Sequence, residues 1–292
     1  MYHYDPTKLS APIYSEMHDL ERIYQEKNED IVREKDRLHK ILSITFPEME
    51  KLLSSTDGDL YWNLVQEFPV PKEVLKYDLK SLSKIVLQST PKNMGILHSQ
   101  RIARRLIDLA KESFTVNNLT YAIKETTYHA HEVQIIDHMK LRLIDEMAKI
   151  SENLPEIKML TSIPGIGLKT AVCLTAEWGD IRRFYSSNAI NAYIGIDLIH
   201  YESGNYTAGD HIRKRGNSYA RKILFKAVLN IISASKYTPT NISLSYNAKK
   251  QSSGSKGTKK IVISAIHHLI RTMYHLIVNN EMYDTKMFLA EH

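Results

Sequence analysis

Between Ile13 and Ile41 apolar side chains recur in steps of four and three: Ile13, Met17, Leu20, Tyr24, Ile31, Leu38 and Ile41, with Lys27 and Glu34 at the two remaining seam positions. A stripe repeating every three and a half residues keeps one side of a helix turned toward a partner along its whole length. The pattern therefore predicts a long helix of the coiled-coil kind, not a strand. Charges fill its other faces and Pro47 ends it. The polar seam positions suit an antiparallel partner within the chain as well as a second copy. Val133, Ile136, Leu143, Met147, Ile150 and Leu154, interrupted by Lys140, keep the same rhythm and are the candidate partner. Shorter helical pieces lie between, the clearest from Met94 to Ser113 with Ile102, Leu106 and Leu109 on one face.

Beyond Pro155 the texture changes. Glycines stand at 165, 167, 179, 195, 204, 209 and 216, where the first half has few, so the expected division is a helical coiled-coil region over 1–155 and a second domain over 156–292. A Ser/Gly/Lys-rich loop is expected from Lys249 to Gly257, then a last helix from Lys259 to Val278. Strand signals are few. The expected fold is mainly α, with long coiled-coil-like helices followed by a C-terminal domain that contains a helix-hairpin-helix.

Charge is unevenly spread. From Gly204 to His275 there are thirteen Lys or Arg and one acid, Asp210, a net +12 in a chain whose total is +6, so the remainder carries −6. Such a field is costly without counter-charge and points to a polyanion, DNA or RNA, as partner for this part. The plainer reading is a solvated basic surface. The lone cysteine, Cys173, excludes an internal disulfide and any multi-cysteine zinc site. The first residues lack the apolar core of a signal peptide, and no uninterrupted apolar run approaches membrane-spanning length. The expectation is a chain without a membrane partner, cytoplasmic and, in a bacterium, nucleoid-associated.

Two motifs carry chemistry. In Leu160-Thr-Ser-Ile-Pro-Gly-Ile-Gly-Leu-Lys169 a short apolar helix runs into a glycine turn and then a second helix with the small residues Ala171 and Ala176. Gly165 and Gly167 would let the turn approach a phosphate, the second helix's N–H groups would face its oxygens, and Lys169 sits at the mouth. Such a grip holds backbone and reads no sequence. The second motif runs from Tyr193-Ile-Gly-Ile-Asp197 through Glu202-Ser203-Gly204 to His211-Ile-Arg-Lys-Arg-Gly-Asn217 and Arg221. Alone, Ser203 is a turn serine. Arg213, Lys214, Arg215 and Arg221 supply the cations that a serine attacking a phosphodiester needs, and Gly216-Asn217 leads into another helix start. Adjacent His267 and His268 point to different helix faces and form no metal pair.

The order Ile-Pro-Gly-Ile-Gly, Tyr-x-Gly-Ile-Asp, Glu-Ser-Gly and Ile-x-Lys-x-Gly-Asn-x-x-x-Arg resembles the C-terminal domain of the insertion-sequence 110/116/902 family of transposases. Leu20-Glu-Arg-Ile-Tyr-Gln-Glu26, Arg33–Lys40 and Phe46-Pro-Glu48 look like that family's linker helix. The resemblance implies a ribonuclease-H-like first domain whose four carboxylates bind divalent metal (Mg), and a second domain whose serine, here Ser203, forms a covalent link to DNA. It also implies an oligomer formed through the coiled coil and, for some members, an element-encoded guide RNA. Gly165, Gly167, Lys169, Arg213, Lys214, Arg215, Gly216, Asn217 and Arg221 are then the expected nucleic-acid contacts. Leu198 departs from the family's usual proline. Met1 begins where the family's first domain has ended, so the carboxylate site is expected to be missing, with no metal or other cofactor held by this chain. The chain alone is then expected to be an inactive transposase. The alternative is a non-catalytic DNA- or RNA-binding protein that oligomerises with, or inhibits, a full-length relative.

Overall fold

The computed structural model describes residues 11–114, 120–199, 202–203, 206–207, 211–212, 215–253 and 257–285, with backbone only at 198–212 and at 253. The fold is mainly α. It divides into two compact units, one of Met1–Ile23 with Leu143–His292 and one of Tyr24–Arg142. Two long helices, α1 (Pro12–Thr45) and α6 (Thr120–Ile150), contribute to both.

In the unit 24–142, α1 gives way at Pro47 to a turn of 3-10 helix, Pro47–Lys51. Proline lacks the N–H that the α ladder needs and tolerates only a helix start. There follow α2 (Asp59–Glu67), α3 (Pro71–Val74), α4 (Leu79–Gln88) and α5 (Ile96–Glu112). Asp78 caps α4, its carboxylate accepting the Ser81 N–H at 3.0 Å. On α5, Ile102, Leu106 and Leu109 are buried, as their spacing predicts. They join a core of Phe46, Met49, Trp62, Leu64 and Phe68.

The seam of α1 lies partly one residue away from the expected stripe. Met17, Tyr24, Ile31, Leu38 and Ile41 are buried, but Tyr14 and Glu21 are buried where Ile13 and Leu20 had been expected to be. Glu34 is a buried seam position, and its carboxylate is met by the ring of His129 on α6 and by Arg37 Nη1 at 2.9 Å. Thr45 and Thr126 hydroxyls lie 3.1 Å apart. These contacts from α6 come from residues that precede the stretch beginning at Val133.

The other unit contains the first three turns of α1, the end of α6, α7 (Pro155–Thr161), α8 (Leu168–Trp178), α9 (Ser187–Ile194), α10 (Ser218–Ala234), α11 (Asn241–Ser253) and α12 (Thr258–Asn279). Four two-residue strands lie between α9 and α10. Antiparallel β1 (Leu198–Ile199) with β4 (His211–Ile212) encloses, in sequence, antiparallel β2 (Glu202–Ser203) with β3 (Tyr206–Thr207). Lys249 to Ser253, expected as loop, extend α11; residues 254–256 of that stretch lie outside the described residues.

Helix α12 departs from expectation too. Its histidines, threonine and tyrosine interrupt any continuous apolar run. Even so, it is long and apolar enough to cross a membrane by length and composition, with a mean hydropathy of 1.4. Ile261, Val262, Ala265, Ile266, Leu269, Ile270, Thr272, Met273, Leu276 and Ile277 are all buried, and α12 packs on α7, α9, α10 and α11. That is the behaviour of a core helix. Cys173 on α8 is also buried, and burial, with the nearby Glu21 carboxylate, pushes its thiol up to about 12. It packs as a small hydrophobe, not as a nucleophile.

Removing one member of a buried polar pair leaves the other without its partner. His129→Ala should therefore destabilise the chain by on the order of 3 kcal/mol, whereas Glu34→Leu with His129→Leu should cost less than the single change. Urea unfolding of the three proteins checks the order.

Candidate nucleic-acid interface

The glycine turn between α7 and α8 is built for packing as much as for access. Gly165 has φ +92°, which L side chains rarely adopt, and a Cβ there would sit 2.6 Å from Ile231 Cα on α10. Gly167 is different: it is the N-cap of α8, its φ is −88°, no side chain caps the helix, and a Cβ would meet nothing within 4 Å. Lys169, in the first turn of α8, is exposed. A helix N-terminus carries donor N–H groups and the positive end of its dipole, so this is the part of the turn that can face an anion.

At the other end of α8 a second construction closes the base of the serine-bearing segment. Gly195, the left-handed C-cap of α9 at φ 72°, and Gly216, at φ +133°, bring their backbones together. A Cβ on Gly195 would lie 2.2 Å from the Arg215 carbonyl oxygen, and one on Gly216 2.3 Å from that of Tyr193. The Asn217 N–H donates to the Tyr193 carbonyl at 3.0 Å, and Arg221 Nη1 to the Ile194 carbonyl at 2.5 Å. Asn217 also caps α10, its Oδ1 accepting the Ala220 N–H at 2.9 Å.

Behind this pinch stands a buried carboxylate. Glu177 Oε2 accepts from Arg22 Nη2 at 2.9 Å and from Asn217 Nδ2, while the Tyr193 hydroxyl donates to the Glu177 carbonyl at 3.0 Å. The Arg22 guanidinium lies over the Tyr219 ring, 4.5 Å from its centroid. His18 Nδ1 lies 3.2 Å from the Ala176 carbonyl, and Arg22 Nε donates to His18 Nε2 at 3.3 Å, so Nδ1 is the nitrogen that carries the donated proton. Tyr14, one turn earlier, donates to Glu156 Oε1 at 2.5 Å. A cleft of about 300 Å³ opens beside these groups, lined by His18, Asp19, Glu177, Arg183 and Tyr193 among others.

His267 of α12 is hydrogen-bonded to the backbone of Ile196. Burial pushes its pKa below the ordinary 6.5, with the cations Arg271 and Lys249 acting the same way against Asp197 and the Ile196 bond.

The expected contacts thus fall into two groups. Since Gly165 meets Ile231 late in α10 and Glu177 meets Asn217 at its start, α8 and α10 run antiparallel. Gly167 and Lys169 therefore lie at the opposite end of α8 from Gly216 and Asn217, ten and eight residues before Glu177, which is about 12 to 15 Å of helical rise. Gly216, Asn217 and Arg221 make the intramolecular contacts just described; Arg215 is exposed. Ser203 is paired with Tyr206 in the β2–β3 ladder, by backbone only, and Arg213 and Lys214 lie outside the described residues. Arg22, Glu177, Tyr193 and His267 were not among the expected site residues. Glu177 had one signal, an acid inside Ala171–Trp178, every residue of which is buried.

The sequence model of a family described as transposase IS116/IS110/IS902 matches residues 157–242. This stretch is similar to the transposase domains of that family. It runs from α7 through the glycine turn, the pinch and α10 to the first turn of α11, and it bears out the resemblance read from the motifs. Along nearly its whole length the chain is similar to an insertion element IS110 uncharacterized 43.6 kDa protein of Streptomyces coelicolor, 21% identical over 286 residues, 96% of this chain and 67% of the relative. It is also similar to a transposase for insertion sequence element IS1111A of Coxiella burnetii, 34% identical over 80 residues, 27% of this chain and 22% of that one. A pilin gene-inverting protein of Moraxella bovis is 24% identical over 192 residues, 65% of this chain and 55% of its own length. The chain thus spans two thirds of the first relative and smaller shares of the others.

Two predictions follow from the geometry of the transposase domain. Gly165→Ala combines a disfavoured φ with collision against helix backbone and should cost more than about 2 kcal/mol, while Gly167→Ala should stay within about 1 kcal/mol; denaturant midpoints compare them. His267 binds its proton less readily folded than unfolded, so stability is fully present above the unfolded value of 6.5 and is lost as pH falls below it. Thermal melting across this range should show that loss, and His267→Gln should reduce it.

Proposed function

We propose that this chain acts in DNA recombination as the DNA-gripping, serine-bearing part of a transposase. The observation that carries the reading is that the matched domain, residues 157–242, holds both the uncapped start of α8 and the segment with Ser203. The surrounding charge agrees with it: Arg215, Lys222, Lys226, Lys236, Lys249, Lys259, Lys260 and Arg271 are all exposed. Exposed cations of this number bind phosphates by releasing counterions, which gives affinity without sequence reading.

In this reading the Ser203 hydroxyl oxygen attacks a DNA phosphorus. The new O–P bond replaces one bond to a deoxyribose oxygen, the departing strand end takes the proton the serine gave up, and the phosphate stays on the protein as a phosphoserine ester. Arg213, Lys214 and Arg215, close to Ser203 in sequence, are the cations proposed to hold the phosphate oxygens as charge builds. Reversal of the step by another strand end gives strand exchange without hydrolysis. Among the described residues no three His, Cys, Asp or Glu side chains converge. No step here runs through a metal held by this chain. An RNA guide and assembly of several copies belong to the same reading and account for how a backbone-gripping domain would find its sites.

The test compares this chain with Ser203→Ala on labelled element-end DNA. Expected, with a full-length relative whose own serine is replaced by alanine present in the mixture, are a denaturation-resistant DNA adduct on the native chain only, and affinities of the two proteins within twofold of each other that fall steeply between low and moderate salt. Salt-sensitive binding without an adduct in either protein would leave the non-catalytic binding reading in its place. Binding that ignores salt would remove both.

A further inference from the structure

The Glu177 side chain is fully buried, yet only one of its oxygens is matched. Oε2 takes Arg22 and Asn217, and Oε1 has no hydrogen-bond partner among the described residues. A half-satisfied buried carboxylate is a poor source of stability, because the cost of removing it from water falls on both oxygens while the return comes through one. What the arrangement does supply is geometry. Arg22 comes from the first turns of α1, Asn217 from the start of α10, and Tyr193, on the backbone side of Glu177, from the end of α9. The last two flank the segment that contains Ser203. Its two ends are also joined to each other, by the Gly195–Gly216 approach and by the Asn217 N–H on the Tyr193 carbonyl.

We propose that Glu177 is a positioning residue for the serine-bearing segment: by holding Arg22 and Asn217 on one buried oxygen, and Tyr193 on its own carbonyl, it sets the base on which both ends of residues 196–216 are fastened. This rests on the reading of Ser203 as nucleophile for its functional consequence, but its structural content stands apart from that reading. Arg22 stacked on Tyr219 fixes the guanidinium from a second direction, so the carboxylate is held by a donor that cannot swing away. A serine nucleophile gains from such a fixture because small misplacement of reacting atoms costs large factors in rate. Glu177 touches neither substrate nor serine in this proposal; it acts through Asn217 and the Tyr193 backbone.

Two measurements on the chain test it. The first is amide hydrogen exchange of peptides covering 190–220 in Glu177→Ala, Glu177→Gln and Asn217→Ser. The serine variant keeps a capping oxygen for α10 and loses the amide donor to Glu177. Expected is exchange at least about tenfold faster around Ile196 and Asn217 in Glu177→Ala and Asn217→Ser, the loss of a charge-assisted bond, with substantial rescue in Glu177→Gln and no change in α2 to α5. Should Glu177→Ala fail to fold, Asn217→Ser and Arg22→Ala carry the same expectation. Exchange at native rates in folded variants would overturn the proposal.

The second measurement is adduct formation on element-end DNA in the same mixture. The rate constant should fall about tenfold or more in Glu177→Ala and largely recover in Glu177→Gln, whereas His129→Ala, destabilised in the other unit, should keep the native rate; a purely structural role would slow each variant in step with its loss of melting temperature. If the native chain forms no adduct, the transposase reading fails, and the exchange result still decides the placement of the segment.

Discussion

Helix α10 lies so close to the turn before α8 that Gly165 has no room for a single methyl group, and most of the domain depends on that approach. A helix brought this near to backbone excludes water along the contact and leaves any polar group on it without solvent. Ala171 and Ala176 on α8 and Ala220 and Ala227 on α10 are fully or almost fully buried. Because the pair is antiparallel, one end is closed by Gly165 and the other by a hydrogen-bonded cap. The acid that sits at the closed end, Glu177, is tolerable only because a guanidinium and an amide reach it there.

This arrangement separates tasks that the motifs seem to combine. The glycine turn contains one residue that serves packing and one that leaves a helix end open. Gly216, Asn217 and Arg221 hold the base of the serine-bearing segment, while Arg215 faces outward beside them.

Much of the fold was legible beforehand. A mainly α chain, α1 ending before Pro47, the face of α5 and the order of motifs that points to the transposase family all rest on local rules: helical periodicity, proline's missing N–H and glycine's freedom at positive φ. The reading strayed where distant contacts chose between close alternatives. Tyr14 is buried in place of Ile13 and has Glu156 as the partner of its hydroxyl, a residue 142 positions away. Lys249–Ser253 look like loop by composition but continue α11, and the tie is polar: the Lys249 amine donates to the Ser264 hydroxyl and Lys250 Nζ to Thr258 Oγ1 at 2.6 Å, both on α12. The hydropathy of α12 is that of a membrane span, and only its neighbours show it to be a core helix.

By itself, then, the sequence determined the helices, the family of the domain and the concentration of positive charge after Gly204, since each depends on residues near one another in the chain. Tertiary structure alone decided that Gly165 is a packing glycine and Gly167 an open one, that Gly195 and Gly216 meet, and that Glu177 joins Arg22 to Asn217. These are relations between residues up to 195 positions apart. No local pattern encodes them, because whether a glycine faces a helix or open space depends on what the rest of the chain brings to it.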